Sequence, residues 1–302
     1  MVKAADRAHE IGADALQIFA DNPTAWRRRA EPPAEQAAFR KRLEIHGIHP
    51  VAIHAAYLVN LAGPDFDFWE RSVEILAHEL RTGPGFAARY VNVHVGSHRG
   101  TGVETGTLRV AEGVARAFAE IDRTPDTPML VLENSAGGGF GLGSTIEELA
   151  GLADAIAACG VPDRLLGFCL DTAHAWGAGH DLSDPVAIDG LLGDFDARIG
   201  LERLVMVHLN DSKSELGSQT DRHEHIGAGR IGTAGMAHLL RHPKLAHATY
   251  FIETPGMDEG YDAINLRRAR DIAAGRPLEP LPEGAMHVRG SRSRTAPGPA
   301  EA

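Results

Sequence analysis

Seven short apolar runs, each followed by a polar or glycine-rich turn and then a helix-like stretch, constrain this chain more than any other feature. They are ALQIFA (15–20), PVAIH (50–54), YVNVH (90–94), MLVLE (129–133), LGFCLD (166–171), LVMVHL (204–209) and TYFIE (249–253). None alternates cleanly between apolar and polar residues, so each suits a strand covered on both faces, and strands of that kind alternating with helices build a parallel sheet. Residues 69–81, 107–121, 146–158 and 234–241 repeat apolar side chains at spacings near three and four, which predicts helices laid against that sheet. The architecture that uses such a pattern over roughly 250 residues is a (β/α)8 TIM-type barrel. Seven runs are one short of eight. The chain opens directly in a helix-like segment, Ala4 to Gly12, where a first strand should precede it. The first strand is therefore expected to be missing at the N-terminus, through truncation or a misassigned start. A single catalytic domain is expected over 1–275, and the Pro-, Gly-, Ser- and Arg-rich stretch 276–302 predicts a disordered tail.

Histidine is abundant, with 16 residues, whereas cysteine is confined to Cys159 and Cys169. That ratio argues against thiolate zinc and against a disulfide framework. The charged N-terminus has no apolar stretch able to act as a signal or span a bilayer, so the expectation is a cytoplasmic protein without membrane contact. A net charge of −11 argues against broad attraction to nucleic acid. It leaves room for a local groove in which bound cations offset some of the carboxylates.

Six of the seven runs end in, or run into, a possible metal ligand: His54, His94, Glu133, Asp171, His208 and Glu253. Strand ends converge on the C-terminal face of a parallel barrel, so these six would share one site. His174 follows Asp171 by three residues in a segment that reads as a loop, and Asp221 with His223 forms a D-x-H pair that an extended backbone can point one way. Nitrogen and carboxylate donors suit Zn²⁺, with Mn²⁺ or Fe²⁺ as substitutes. The set is too large for one ion. Two or more ions suit phosphodiester hydrolysis, and Glu133, midway in the series, is a candidate to bridge a pair at roughly 3.5–4 Å.

With those residues in place, the chain resembles the endonuclease IV family of apurinic/apyrimidinic endonucleases from about Ala4 to about Ala274. The motifs that carry the resemblance are IHAAYLVNLA (53–62), NVHVGSH (92–98), VLENSAGGG (131–139), CLDTAHAWGAGHDL (169–182), VHLNDSK (207–213), DRHEHIGAG (221–229) and IETPG (252–256). The resemblance implies three zinc ions. His54 and His94 would hold one, and Glu133 would bridge it to a second held by Asp171, His208 and Glu253. His174, Asp221 and His223 would hold the third. It also implies a monomer acting on double-stranded DNA, cutting 5′ to an abasic site by in-line attack of a metal-activated water and leaving a 3′-hydroxyl. Glu133 and Glu253 would orient or deprotonate that water, and Tyr57 and Leu58 match the residues that family members insert into the duplex. The chain departs from the pattern in its absent first strand, in Thr24 where a basic DNA-probing residue falls, in Val95 where proline is common, and in Ala55 and Ala56 beside His54.

Three weaker features complete the reading. NSAGGGFGLGS (134–144) lacks a P-loop ending and reads as a loop beside the metals; Arg27, Arg28 and Arg29 could meet phosphates or only solvent; His98 could be a loop group or a phosphate donor. The competing function is a metal-dependent sugar isomerase or epimerase on the same barrel, which would need one ion and about four ligands. A metal- or DNA-binding remnant without catalysis is the third.

Overall fold

A computed structural model describes residues 1–287; the remainder of the expected tail, 288–302, lies outside the described residues. All seven apolar runs are strands: β1 (Leu16–Ile18), β2 (Val51–His54), β3 (Ala88–His94), β4 (Met129–Glu133), β5 (Leu166–Asp171), β6 (Leu204–His208) and, later in the chain, β9 (Thr249–Phe251). They form one parallel sheet in the order β1-β2-β3-β4-β5-β6-β9. A short antiparallel pair, β7 (Asp211–Ser212) and β8 (His223–Glu224), lies in the loop between β6 and β9.

Nine helices surround the sheet among the described residues: α1 (Val2–Glu10), α2 (Gln36–His46), α3 (Phe66–Thr82), α4 (Val103–Ala119), α5 (Ile146–Ala158), α6 (Thr172–Ala178), α7 (Pro185–Arg198), α8 (Gly232–Arg241) and α9 (Tyr261–Ala274). Local chemistry sets several of their ends. Asp65 caps α3 by accepting the Phe68 N–H, Thr145 caps α5 by accepting the Glu148 N–H, and Asp184 caps α7 ahead of Pro185. α7 carries no helical stripe that the sequence pattern reveals, because Gly190 and Gly193 interrupt it; packing of Ile188, Leu191, Leu192 and Phe195 holds it in place. The larger apolar cluster, with Leu61, Val73, Leu76, Val93, Leu132 and Phe168 among its members, fills the layer between sheet and helices.

A second, smaller cluster lies inside the sheet's curve: Ala52, Tyr90, Val131, Cys169, Met206 and Phe251, one residue from each of six strands. Alternate residues of a strand face the same side. The next layer toward the strand ends is therefore His54, Asn92, Glu133, Asp171, His208 and Glu253, which puts the chemistry directly above an apolar floor. Register holds these groups level, with His54 opposite Asn92 and Asp171 opposite His208.

The sheet is open between β9 and β1 among the described residues, and side chains span the opening. Arg7 of α1 pairs with Asp262 of α9, Nη2 to Oδ1 at 2.6 Å, and Arg270 of α9 pairs with Asp14 at 3.0 Å. One expectation needs correction. The packed chain does not end at Gly275: Arg268 donates to the carbonyl of Glu279 at 2.7 Å, and His225 bonds the carbonyl of a buried Ala285 at 2.9 Å. Pro280 and Pro282 suppress regular structure there without preventing docking.

Candidate metal centre

All nine residues singled out as ligands meet at the C-terminal ends of the strands. Glu133 is completely buried at the centre. Its Oε2 lies 3.6 Å from His54 Nε2 and 3.9 Å from His94 Nδ1, while Oε1 lies 3.2 Å from both His174 Nδ1 and His208 Nδ1. His208 Nδ1 is also 3.3 Å from Glu253 Oε2 and 3.9 Å from Asp171 Oδ2. Asp221 points one oxygen at His174 Nε2 (3.2 Å) and the other at His223 Nε2 (3.0 Å). Donors around a tetrahedral ion with bonds of about 2.0–2.2 Å stand roughly 3.3–3.6 Å apart, so these spacings suit donors gathered around cations.

The donors fall into three groups compact enough to hold an ion each: His54, His94 and Glu133; Glu133, Asp171, His208 and Glu253; and Asp171, His174 and His223. The third differs from the sequence expectation by including Asp171. Asp221 stands at its open side, half exposed. His174 also sits differently from its expectation: the segment is not a loop but the start of α6, where Asp171 Oδ1 accepts the His174 N–H at 2.7 Å. Asp171 thus caps the helix with one oxygen and keeps the other for the cluster.

Hydrogen bonding prepares the imidazoles for a cation. A carbonyl oxygen can only accept, so the ring nitrogen facing it must carry the proton and the opposite nitrogen is left with a free lone pair. His54 Nδ1 faces the Ala55 carbonyl (2.7 Å), His174 Nδ1 the Asn134 carbonyl (2.9 Å) and His223 Nδ1 the Glu253 carbonyl (2.8 Å). His208 is fixed the other way round, through Nε2 to Gln17 Oε1 at 3.0 Å. The nitrogens left over all face carboxylates. No hydrogen bond reaches His208 Nδ1, His223 Nε2 or Glu133 Oε1, although all three atoms are buried. Buried polar atoms without partners are costly, and cations are the partners this donor set fits.

The electrostatics agree. Burial alone would raise the Glu133 carboxyl, but His94, His208 and His174 hold it well below the usual carboxylate range. Burial alone would lower His174 and His223, yet Asp171 and Asp221 raise His174 well above its ordinary value and bring His223 up to about 9. The pocket therefore attracts positive charge strongly enough to retain protons that divalent ions would displace.

Four residues outside the sequence-derived set hold these donors in place. Asn92 donates to Glu133 Oε2 at 2.6 Å. Asn134 clamps Asp171 by accepting its N–H and donating to its carbonyl. Asn210 donates to Asp171 Oδ2 at 2.7 Å and accepts the Glu253 N–H at 2.8 Å. Gln17 donates to Glu253 Oε1 at 2.7 Å while accepting from His208. Their signal was present: each asparagine lies one or two residues from a ligand, in NVH, ENS and HLN, and Gln17 is the one polar residue of ALQIFA. Gln17, level with Ala52 in the layer below, thus reaches the ligands of β6 and β9 from β1 through an amide instead of a charge.

Beside the donors runs a groove lined by Tyr57, Phe68, His94, Arg99, Ser135 and Gly138. It continues past His94 to His174 and Asp221. Tyr57 is 61% exposed at its edge and Leu58 half-buried behind it. Their loop is pinned by Asn60, which exchanges hydrogen bonds with the backbone of Ser97. Gly96, at φ 97°, permits that approach, since a Cβ there would stand 2.2 Å from Asn60 Oδ1. Of the weaker candidates, Arg28 bonds the Asn22 and Ala25 carbonyls and Arg29 pairs with Asp21, so both serve their own loop, while Arg27 is exposed. His98 accepts the Gly102 N–H at 3.0 Å, a loop hydrogen bond. Thr24 bonds Asn22 within the same loop as Arg28.

A parallel barrel with a donor cluster over its strand ends defines a class, and the chain matches the xylose isomerase-like TIM barrel family over residues 5–276. The fold is shared more widely: a D-tagatose 3-epimerase-like protein superposes with a TM-score of 0.67, at 16% identity over 89% of this chain and 93% of its own. A narrower likeness goes much further. The chain is 42% identical to a probable endonuclease 4 of Methanoculleus marisnigri over 271 residues, 90% of this chain and 94% of the relative. The crystal structure of endonuclease IV from Thermus thermophilus superposes with a TM-score of 0.77, at 40% identity over 91% of this chain and 94% of that one. The chain belongs to the endonuclease IV family.

Proposed function

We propose that this chain is a DNA-repair endonuclease that hydrolyses the phosphodiester bond 5′ to an abasic site in double-stranded DNA, leaving a 3′-hydroxyl. The observation that carries the reading is a cluster of nine nitrogen and carboxylate donors in a chain that shares 40% identity with an endonuclease IV over nearly the whole of both. Three Zn²⁺ ions, replaceable by Mn²⁺ or Fe²⁺, are assigned to it. His54, His94 and Glu133 would hold the first, Glu133, Asp171, His208 and Glu253 a second, and His174, Asp221 and His223 the third. When bound, such ions supply Lewis-acid polarisation of the phosphate and make water more acidic.

The chain's own residues supply position and proton transfer. Glu133 and Glu253 orient the attacking water or accept its proton, and the apolar layer beneath them keeps bulk water from the opposite side. Gln17 and Asn210 hold Glu253 from its side chain and its backbone. Tyr57 and Leu58, at the mouth of the groove, wedge into the base stack, where unstacking costs a few kcal/mol that apolar contact offsets. The enzyme acts as a monomer and a single catalytic domain in the cytoplasm. No helix among the described residues is long and apolar enough to cross a membrane.

The test is incubation of purified protein, with and without prior chelation, with a duplex carrying one abasic-site analogue. Chelator-sensitive cleavage 5′ to the lesion with a 3′-hydroxyl product is expected. Absence of cleavage by folded, metal-loaded protein, together with turnover of a ketose, would replace this reading by the sugar isomerase.

A further inference from the structure

The nine-donor cluster is not the only place where metal-binding side chains converge. On the outer helical layer, Asp189 of α7 faces His238 of α8 and His242, the residue that ends α8. Their donor atoms form a fourth group compact enough for one ion. His238 Nε2 lies 2.5 Å and His242 Nε2 3.5 Å from the same oxygen, Asp189 Oδ1. The two histidines are four residues apart, so they share one face of the helix, and their rings stand 5.6 Å apart edge to face. No hydrogen bond reaches His242 Nδ1, which is buried. His242 Nε2 faces, at 3.5 Å, the same Asp189 oxygen that His238 already bonds, so the two imidazoles converge on one oxygen. Two imidazole nitrogens converging on one carboxylate oxygen are more than an ion pair needs and make a suitable donor set for a cation.

We propose that Asp189, His238 and His242 form a peripheral site for one divalent transition-metal ion of the zinc type, separate from the strand-end cluster, which clamps α7 to α8. Two imidazoles and a carboxylate favour zinc over magnesium or calcium, which take all-oxygen sites. The geometry needs one adjustment. Asp189 must withdraw from His238 by about 1 Å to reach the roughly 3.3 Å donor spacing of a tetrahedral ion, and its 58% exposed side chain is free to do so. Water completes the coordination from the solvent side.

The experiment compares wild-type holoenzyme with His238→Ala and Asp189→Asn, neither of which alters a strand-end donor. Each is equilibrated with Zn²⁺ after its strand-end cluster has been filled, and bound zinc per chain is measured together with the thermal midpoint and the cleavage of an abasic-site duplex. The wild type is expected to hold one more zinc per chain than either variant, with affinity for that ion weakened about tenfold or more by each substitution. Added zinc should raise the thermal midpoint of the wild type alone, while cleavage stays equal in all three. Equal zinc content and equal thermal response in wild type and variants would overturn the site, whatever the substrate of the barrel proves to be.

Discussion

Asn210→Ala tests whether the cluster is held by its neutral neighbours as tightly as by its charges. Asn210 is completely buried one residue past the LVMVHL run and joins two of the assigned ligands: its amide N–H bonds Asp171 Oδ2 at 2.7 Å and its oxygen accepts the Glu253 N–H at 2.8 Å. A buried hydrogen bond to a carboxylate contributes about 1.5–3 kcal/mol, and a backbone donor left without its partner costs about 1–3 kcal/mol, so the substitution should cost about 3–5 kcal/mol in all. That is a substantial share of a total stability of about 5–15 kcal/mol, yet short of unfolding most chains. At about 2–4 °C per kcal/mol for a protein of this size class, the thermal midpoint should fall by roughly 10 °C. Loss of such an outer partner also weakens metal affinity about 10–100-fold. The assay is thermal unfolding of the metal-loaded protein together with metal retention during dialysis against graded chelator. A midpoint within about 1 °C of wild type and unchanged retention would refute the reasoning, because both effects follow from the same two bonds.

Three further outcomes are expected. His174→Ala or His223→Ala should remove about one metal equivalent and most cleavage with little effect on folding; unchanged metal content and unchanged cleavage in either variant would defeat the three-ion assignment. Tyr57→Ala should leave metal content and thermal midpoint at wild-type values, since the ring is mostly exposed. It should lower cleavage of abasic duplex about tenfold or more, as loss of the wedge raises the cost of unstacking by about 1–2 kcal/mol, and equal cleavage would remove Tyr57 from the DNA contact. Metal affinity should depend on pH, because His223, raised to about 9 in metal-free protein, must release its proton on binding. Affinity should climb from neutral pH and level off above about 9, as a titration with zinc would record, and a flat profile below 9 would contradict the coupling. The sign for metal-free stability is opposite: a histidine raised on folding contributes most below its unfolded value of about 6.5, and that contribution is lost as pH rises through about 9.

The sequence by itself determined the strands and the candidate ligands. Unbroken apolar runs such as MLVLE and LGFCLD can only be covered on both faces, so they placed β4 and β5 to the residue, and a histidine or carboxylate at the end of six runs announced one convergent site. Tertiary structure decided the rest. α7 forms by packing despite its two glycines, and 276–287 docks through single bonds to Arg268 and His225, which no local periodicity encodes. The role of Gln17 depended on β9 standing across an opening from β1, 236 residues away in the chain. Asp171 entered the third donor group because α6 turned its cap toward His174 and His223. Strand identity is local, carried by neighbouring side chains that must all be buried together. Which buried amide completes which carboxylate is a property of the curve of the sheet, and that exists only once the chain has folded.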